Sequence, residues 1–275
     1  MAGPVVALLT DFGTKDHYAG TMKGVALGIC PDLTFVDITH EIAPYDILGA
    51  ALELAASYAY FPPGTVFLVV VDPGVGSARR AIAAEAGPYQ FVAPDNGVLS
   101  RVFDDTPPEQ VVEVSDGRYA RGTVSRTFEG RDRFAPAAAW LASGVAIEAL
   151  GHRVNTWQRL DVPTPTIDGG RVIGQVLRVD RFGNLISNVD RRALEDLHAG
   201  GAVQIAIGTK TVDAVVTTYA EAPADSVCAL FGSSGHLEVA VRGGSAAEYL
   251  GVARGATITV SRGEEGVTMP GVHRC

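Results

Sequence analysis

Val66-Phe67-Leu68-Val69-Val70-Val71-Asp72-Pro73-Gly74-Val75-Gly76 is the stretch that decides how this chain folds. Its first six residues are all apolar and mostly β-branched, with no polar position left to face water. That is the pattern of a strand covered on both faces, which is the strand of a parallel sheet flanked by helices. The flanks agree. Upstream, residues 47–60 (ILGAALELAASYAY) are an Ala/Leu-rich helix, residues 34–38 a strand, and residues 5–9 another buried strand. Between these two strands, residues 18–30 have helical spacing, with the small Ala19, Gly20 and Gly24 on faces suited to close packing. Downstream, residues 90–93 read as a strand and residues 134–141 as a helix. Strand and helix in alternation predict a largely parallel α/β sandwich.

Farther out the pattern changes. Pro163, Pro165, Gly169 and Gly170 punctuate a stretch without periodicity, so residues 155–170 read as a linker between an N-terminal domain, 1–154, and a C-terminal domain, 171–275. Beyond the linker come short strands at 172–179, 185–189, 203–207, 211–217, 237–241 and 256–260, with helical patches at 191–197 and 246–250. Short strands with turn signals predict a small β-barrel or sandwich.

Composition narrows the function. The chain has 275 residues, 47% hydrophobic and 19% charged, with a formal net charge of −9. Thinly spread Lys and Arg give no nucleic-acid face, so a small molecule is the expected partner. The apolar run at the N-terminus stops at Asp11, too short for a signal peptide or membrane span. Cys30, Cys228 and Cys275 are odd in number and unrelated in spacing, so neither a disulfide framework nor a metal knuckle is expected and the reading is cytoplasmic. His17, His40, His152, His198, His236 and His273 have no metal-ligand spacing, and no Gly-x-Ser-x-Gly elbow occurs. Metal and serine-hydrolase chemistry are not expected.

Two segments share one design. Residues 5–10 deliver Asp11 into Phe12-Gly13, and residues 66–71 deliver Asp72 into Pro73-Gly74, with Arg79 seven residues farther on. Ligands of open parallel sheets bind outside the carboxyl ends of the strands, where both aspartates fall. The plainer alternative is that each Asp makes an Asx-turn or caps the next helix. Gly74-Val75-Gly76 lacks the spacing of a phosphate cradle. Ser125-Arg126-Thr127-Phe128-Glu129-Gly130-Arg131-Asp132 reads as a polar cluster or as a solvated helix entry. Pro94-Asp95-Asn96-Gly97, Asp180-Arg181-Phe182-Gly183-Asn184 and Ser233-Ser234-Gly235 read as sites or as turns.

In order along the chain, these segments resemble the S-adenosylmethionine hydroxide adenosyltransferases, relatives of the fluorinase and chlorinase. The resemblance is carried by TDFG-x-x-D from Thr10, Met22-Lys23-Gly24, VDITH-x-I-x-P-x-DI at 36–47, YFPPGTV, VVDPGVGSARR, FVAPDNGVLS, TF-x-GRD-x-FAP, DRFGN and SSGHLEVAV. It implies an N-terminal α/β domain, a C-terminal β-barrel and a homotrimer holding S-adenosylmethionine between one subunit's N-terminal domain and its neighbour's C-terminal domain. No cofactor is implied, because S-adenosylmethionine is the substrate. By the same resemblance Asp11 holds the ribose hydroxyls, Tyr45 packs near the sugar and sulfonium, and Phe182 and Asn184 recognise adenine with backbone near Gly243. Asp180 and Ser234 take the amino and carboxylate ends of methionine; the halogenases carry an arginine at the Ser234 position.

The implied chemistry is nucleophilic substitution at C5′ by water, giving adenosine and methionine. In the hydroxide-transferring members an Asp, an Arg and a His surround the water; Asp72 and Arg79 match the first two. Halogenases carry Tyr at the Asp72 position, which points away from halide here, as does the lack of an inserted loop between Arg80 and Phe91. At the third position this chain has Glu129 instead of His. Asp72 and Glu129 then flank one water, with Arg79 offsetting their repulsion, or Glu129 turns away. The other readings are a halide-using adenosyltransferase and a non-catalytic S-adenosylmethionine-binding protein.

Overall fold

The computed structural model describes residues 3–195, 203–212 and 214–262. His198, His273, Cys275 and the end of the 191–197 helical patch lie outside them. The chain divides into two compact units, Met1–Asp161 and Val162–Cys275.

The first unit runs β1 (Val5–Thr10), α1 (Tyr18–Leu27), β2 (Thr34–Thr39), α2 (Ile47–Ser57), β3 (Val66–Val70), β4 (Ala81–Ala86), β5 (Tyr89–Pro94), α3 (Ser100–Asp105), β6 (Gln110–Glu113) and α4 (Ala135–Ala142). Its sheet has the order β2-β1-β3-β5-β4-β6. The first four strands pair in parallel, and β4 runs antiparallel to both its neighbours. Alternation along each strand builds the three layers. Val6, Leu8, Leu68 and Val70 face Met22 and Ala26 of α1 and Ala138 of α4. Ala7, Leu9, Phe67 and Val69 face Ala50 and Leu54 of α2 and Val102 of α3. The largely parallel α/β sandwich is therefore present, with a hairpin, β4–β5, that sequence patterning did not indicate.

The stretch expected as a linker has partners on both sides. Arg80 Nη2 donates to Thr156 O (2.6 Å), Gln158 N to Asp95 Oδ1 (2.8 Å) and Leu160 N to Ser100 Oγ (2.8 Å), all within the first unit. Farther on, Thr166–Asp168 is a strand of the second unit.

That unit runs β7 (Thr166–Asp168), β8 (Arg171–Val179), β9 (Leu185–Asp190), α5 (Arg191–Glu195), β10 (Val203–Ile207), β11 (Lys210–Thr211), β12 (Ala214–Val215), β13 (Val227–Phe231), β14 (His236–Val241), α6 (Ala246–Leu250) and β15 (Thr257–Arg262). The start of β8 pairs with β7 and β15, its end with β9, and its register shifts between Val176 and Arg178. Such an irregularity bends a strand. The sheet curls as a half-barrel around Val172, Val176, Leu185, Ile205, Leu237 and Val260. The 211–217 strand expected from the sequence is two short pieces, and β13 is an additional strand. Among the described residues no helix is long and apolar enough to cross a membrane.

Candidate active site

β1 has β2 on one side and β3 on the other, so the chain winds first one way and then back across β1. The gap between β1 and β3 is therefore the switch point at which open α/β sheets bind ligands. Thr10 pairs with Val70 in register, and the next residues out of this edge are Asp11 and, after Val71, Asp72. Both line one cavity of about 300 Å³, together with Tyr45 and Glu129. Phe12, Tyr18 and Phe128 form an aromatic wall of it, with ring centroids 5.1 to 6.2 Å apart.

At the floor lies a buried ion cluster. Arg79 Nε donates to Asp72 Oδ1 and Oδ2 at 2.9 and 3.0 Å, its Nη2 pairs closely with Asp72 Oδ2, and the same Nη2 donates to Glu129 Oε2 at 2.6 Å. The side chains of Asp72, Arg79 and Glu129 are only 5, 11 and 13% exposed. Glu129 thus does not turn away. Burial alone would lower the Arg79 pKa, but the bonds to Asp72 and Glu129 outweigh it and push the guanidinium above its ordinary value. Arg79 stacks 5.1 Å from the Phe134 ring centroid and is not among the cavity-lining residues. It acts from behind, holding two carboxylates toward the cavity.

Glu129 reaches this place through the loop before α4. Asp132 has no exposed surface and accepts from Ser125 N (2.8 Å) and Arg131 Nε (2.7 Å), which holds its carboxyl below the usual range against the opposing effect of burial. Gly130–Phe134 is a single π-helical turn, a feature that often marks functional sites. Arg126 Nη2 donates to Gly76 O at 2.7 Å, tying this loop to the Asp72 turn. A side chain at Gly76, φ +74°, would strike the Arg126 backbone, so glycine is required there. Because Glu129 shares Arg79 with Asp72, Glu129→Ala is expected to lower turnover by about tenfold, the scale of one lost charge-assisted bond. Glu129→His should retain turnover; steady-state kinetics of both variants checks this.

Asp11 Oδ2 accepts from Tyr45 N at 2.9 Å. Tyr45 has φ +69°, a conformation costing about 1–3 kcal/mol for a non-glycine residue, and its ring stays 71% exposed. The Asp11 bond helps to hold that strain and to present the ring at the cavity.

The second unit carries the remaining expected residues. Asp180, Phe182, Asn184 and Gly243 line a cavity of about 720 Å³, with Tyr219 beside them. In the β8–β9 turn Asp180 Oδ1 accepts from Phe182 N (2.9 Å) and Asn184 N (2.8 Å), and Oδ2 from Asn184 Nδ2 (3.0 Å). Asp180 is thus the clamp of an Asx-type turn, and Phe182 is thrust outward, 77% exposed. Tyr219 Oη donates to buried Glu238 Oε2 at 2.7 Å; burial, then that carboxylate, push its phenol above its ordinary pKa, so it remains a donor. Ser234 lies exposed in the β13–β14 turn and does not line this cavity.

Tyr18, Tyr219 and Glu238 were not expected at a site, and Phe128 was named only as part of the 125–132 cluster. Tyr18 and Phe128 sit beside Asp-containing motifs, a usable signal; the Tyr219–Glu238 pair has none at short range. Among the described residues no group of three or more His, Cys, Asp or Glu side chains is placed to hold a metal ion.

Residues 6–151 match the SAM hydroxide adenosyltransferase N-terminal domain and residues 174–259 the C-terminal domain. The chain is 39% identical over 262 residues to the (R)-S-adenosyl-L-methionine hydrolase of Thermus thermophilus, covering 92% of this chain and 98% of that protein. It is 30% identical over 292 residues to a fluorinase of Actinoplanes sp., covering 94 and 98%. A crystal structure of an uncharacterized conserved protein from Thermotoga maritima superposes with a TM-score of 0.88 at 36% identity, covering 94% of this chain and 100% of that one. The chain belongs to the SAM hydroxide adenosyltransferase family.

Proposed function

We propose that this protein hydrolyses S-adenosyl-L-methionine at C5′, releasing adenosine and L-methionine. The observation that carries the proposal is the Asp72–Arg79–Glu129 cluster facing one cavity with Asp11 at the switch point. The sulfonium leaves as a neutral thioether, so the reaction needs an aligned nucleophile more than acid catalysis. Water attacks C5′ as the C5′–sulfur bond breaks, and its proton passes to the Asp72 carboxylate and then to solvent. Asp11 holds the ribose. The aromatic wall and Tyr45 suit a cationic sulfur. Adenine falls to Phe182, Asn184 and the Gly243 backbone and the amino end of methionine to Asp180, whereas Ser234 does not line that cavity.

Halide is a poor nucleophile here. One guanidinium against two buried carboxylates leaves the cavity floor net negative, which repels an anion. Incubation with substrate and chromatography of the products separates the readings: adenosine marks hydrolysis, a 5′-halo nucleoside halogenation, unchanged substrate binding alone. The relatives' names specify the (R) form, so both sulfonium epimers belong in the assay.

The working form we propose is a homotrimer in the cytoplasm, each site shared between neighbouring subunits. Exposed Tyr45 and Phe182 favour this, since covering one large apolar side chain is worth about 1.5–3 kcal/mol. Light scattering at micromolar concentration is expected to give a trimer mass; an active monomer would remove the proposal. We propose further that no metal takes part, because a neutral leaving group has no charge to neutralise. Adding a chelator should leave the rate unaltered, and rescue of a chelated enzyme by a divalent ion would refute this.

A further inference from the structure

Behind the Asp11 turn stands a series of side chains that the proposed reaction leaves without a task. Thr10, with no exposed surface, places Oγ1 2.8 Å from His40 Nδ1. His40 is also buried, and its Nε2 lies 3.2 Å from Asp37 Oδ1, close though poorly aligned for a hydrogen bond. Lys23 Nζ holds the other oxygen of Asp37 at 2.6 Å. Phe12 N donates to Thr10 Oγ1 at 3.3 Å, which leaves the hydroxyl proton free to go to Nδ1. Nε2 of the ring points toward Asp37 without making a hydrogen bond.

Hydroxyl, imidazole and carboxylate in sequence have the composition of a nucleophilic triad. The geometry excludes that role, because Thr10 is wholly buried and does not line the cavity. What the series reaches instead is the backbone on both sides of Asp11. Its ring bonds Thr10, whose oxygen takes Phe12 N, and the carbonyl of His40 accepts from Gly13 N at 2.7 Å. Thr10 and, through its hydroxyl, Phe12 N are thus tied to the His40 side chain, while the His40 backbone holds Gly13 N. We infer that His40 is a positioning residue for Asp11, setting the turn from which that carboxylate meets the ribose. The substrate-dependent part of this inference rests on the proposed function; the structural part does not.

The test uses the full chain and the variants His40→Ala, His40→Asn and His40→Gln, with Thr10→Val as the variant that removes only the hydroxyl should His40→Ala not fold. The amide of Asn stands where Nδ1 does, whereas that of Gln reaches only the Nε2 position. Without ligand, hydrogen exchange at Phe12 should quicken by roughly tenfold or more in His40→Ala, His40→Gln and Thr10→Val, and return toward wild type in His40→Asn. With S-adenosylmethionine, KM should rise roughly fivefold to tenfold in the first three, with kcat within about threefold, and recover in His40→Asn. Unchanged exchange at Phe12, or His40→Asn failing as badly as His40→Ala, overturns the inference. A wild type that releases no adenosine while exchange follows the stated pattern leaves the positioning role standing and removes the proposed function instead.

Discussion

Asp72→Ala releases adenosine about 100-fold or more slowly than wild type, the usual scale for losing a positioned general base. Two effects combine in that variant. The water loses its proton acceptor, and Arg79 loses the partner that takes both its Nε and Nη2 bonds, keeping Glu129 alone. Breaking a buried pair by removing one partner costs about 3–5 kcal/mol in stability, so thermal unfolding must be followed in parallel. Asp72→Asn separates the effects. It keeps one acceptor oxygen for Arg79 and the volume of the side chain, yet cannot accept a proton. Turnover should stay about 100-fold down in Asp72→Asn while most of the stability returns. Steady-state adenosine release with calorimetric melting of both variants decides it. Near wild-type turnover in Asp72→Asn would remove Asp72 from proton transfer.

Asp11→Ala is the other large loss. Oδ2 of Asp11 is occupied by Tyr45 N, leaving Oδ1 and the remaining lone pairs for the ribose hydroxyls. Deleting the carboxylate leaves buried hydroxyls unpaired, worth on the order of 2–4 kcal/mol, or roughly 30- to 1000-fold in kcat/KM. It also frees Tyr45 from its left-handed conformation, so the aromatic contact weakens with the ribose contact. A 2′-deoxyribose substrate distinguishes them: its penalty should be large in wild type and small in Asp11→Ala. Equal penalties in both proteins would show that Asp11 makes no contact with that hydroxyl.

The alternation of strand and helix was legible because Val66–Val70 carries no polar position and so admits one environment. Ala81–Ala86 was not legible. Alanine favours helix, and this segment is a strand because β5 and β6 pair with it on both sides. Val227–Phe231 escaped for another reason, since a short apolar run reads equally as buried strand or buried helix. At the site, Asp11 and Asp72 were legible because strand ends are where ligands bind. The bond between Arg79 and Glu129 was one of two alternatives left open, because it depends on where the 121–129 loop folds back, which the buried Asp132 and its arginines determine. Asp180 shows the limit in the other direction. Its motif marks a site residue, but only the geometry reveals a carboxylate already accepting three N–H groups of its own turn.

The central claim, attack of water at C5′ with loss of the sulfonium, is tested most directly by running the reaction in oxygen-18 water and analysing the products by mass spectrometry. The expected products are adenosine carrying one heavy oxygen, located at the 5′ position, and methionine without label. Adenosine free of label, label found in methionine instead, or a 5′-halo nucleoside as the product would contradict it.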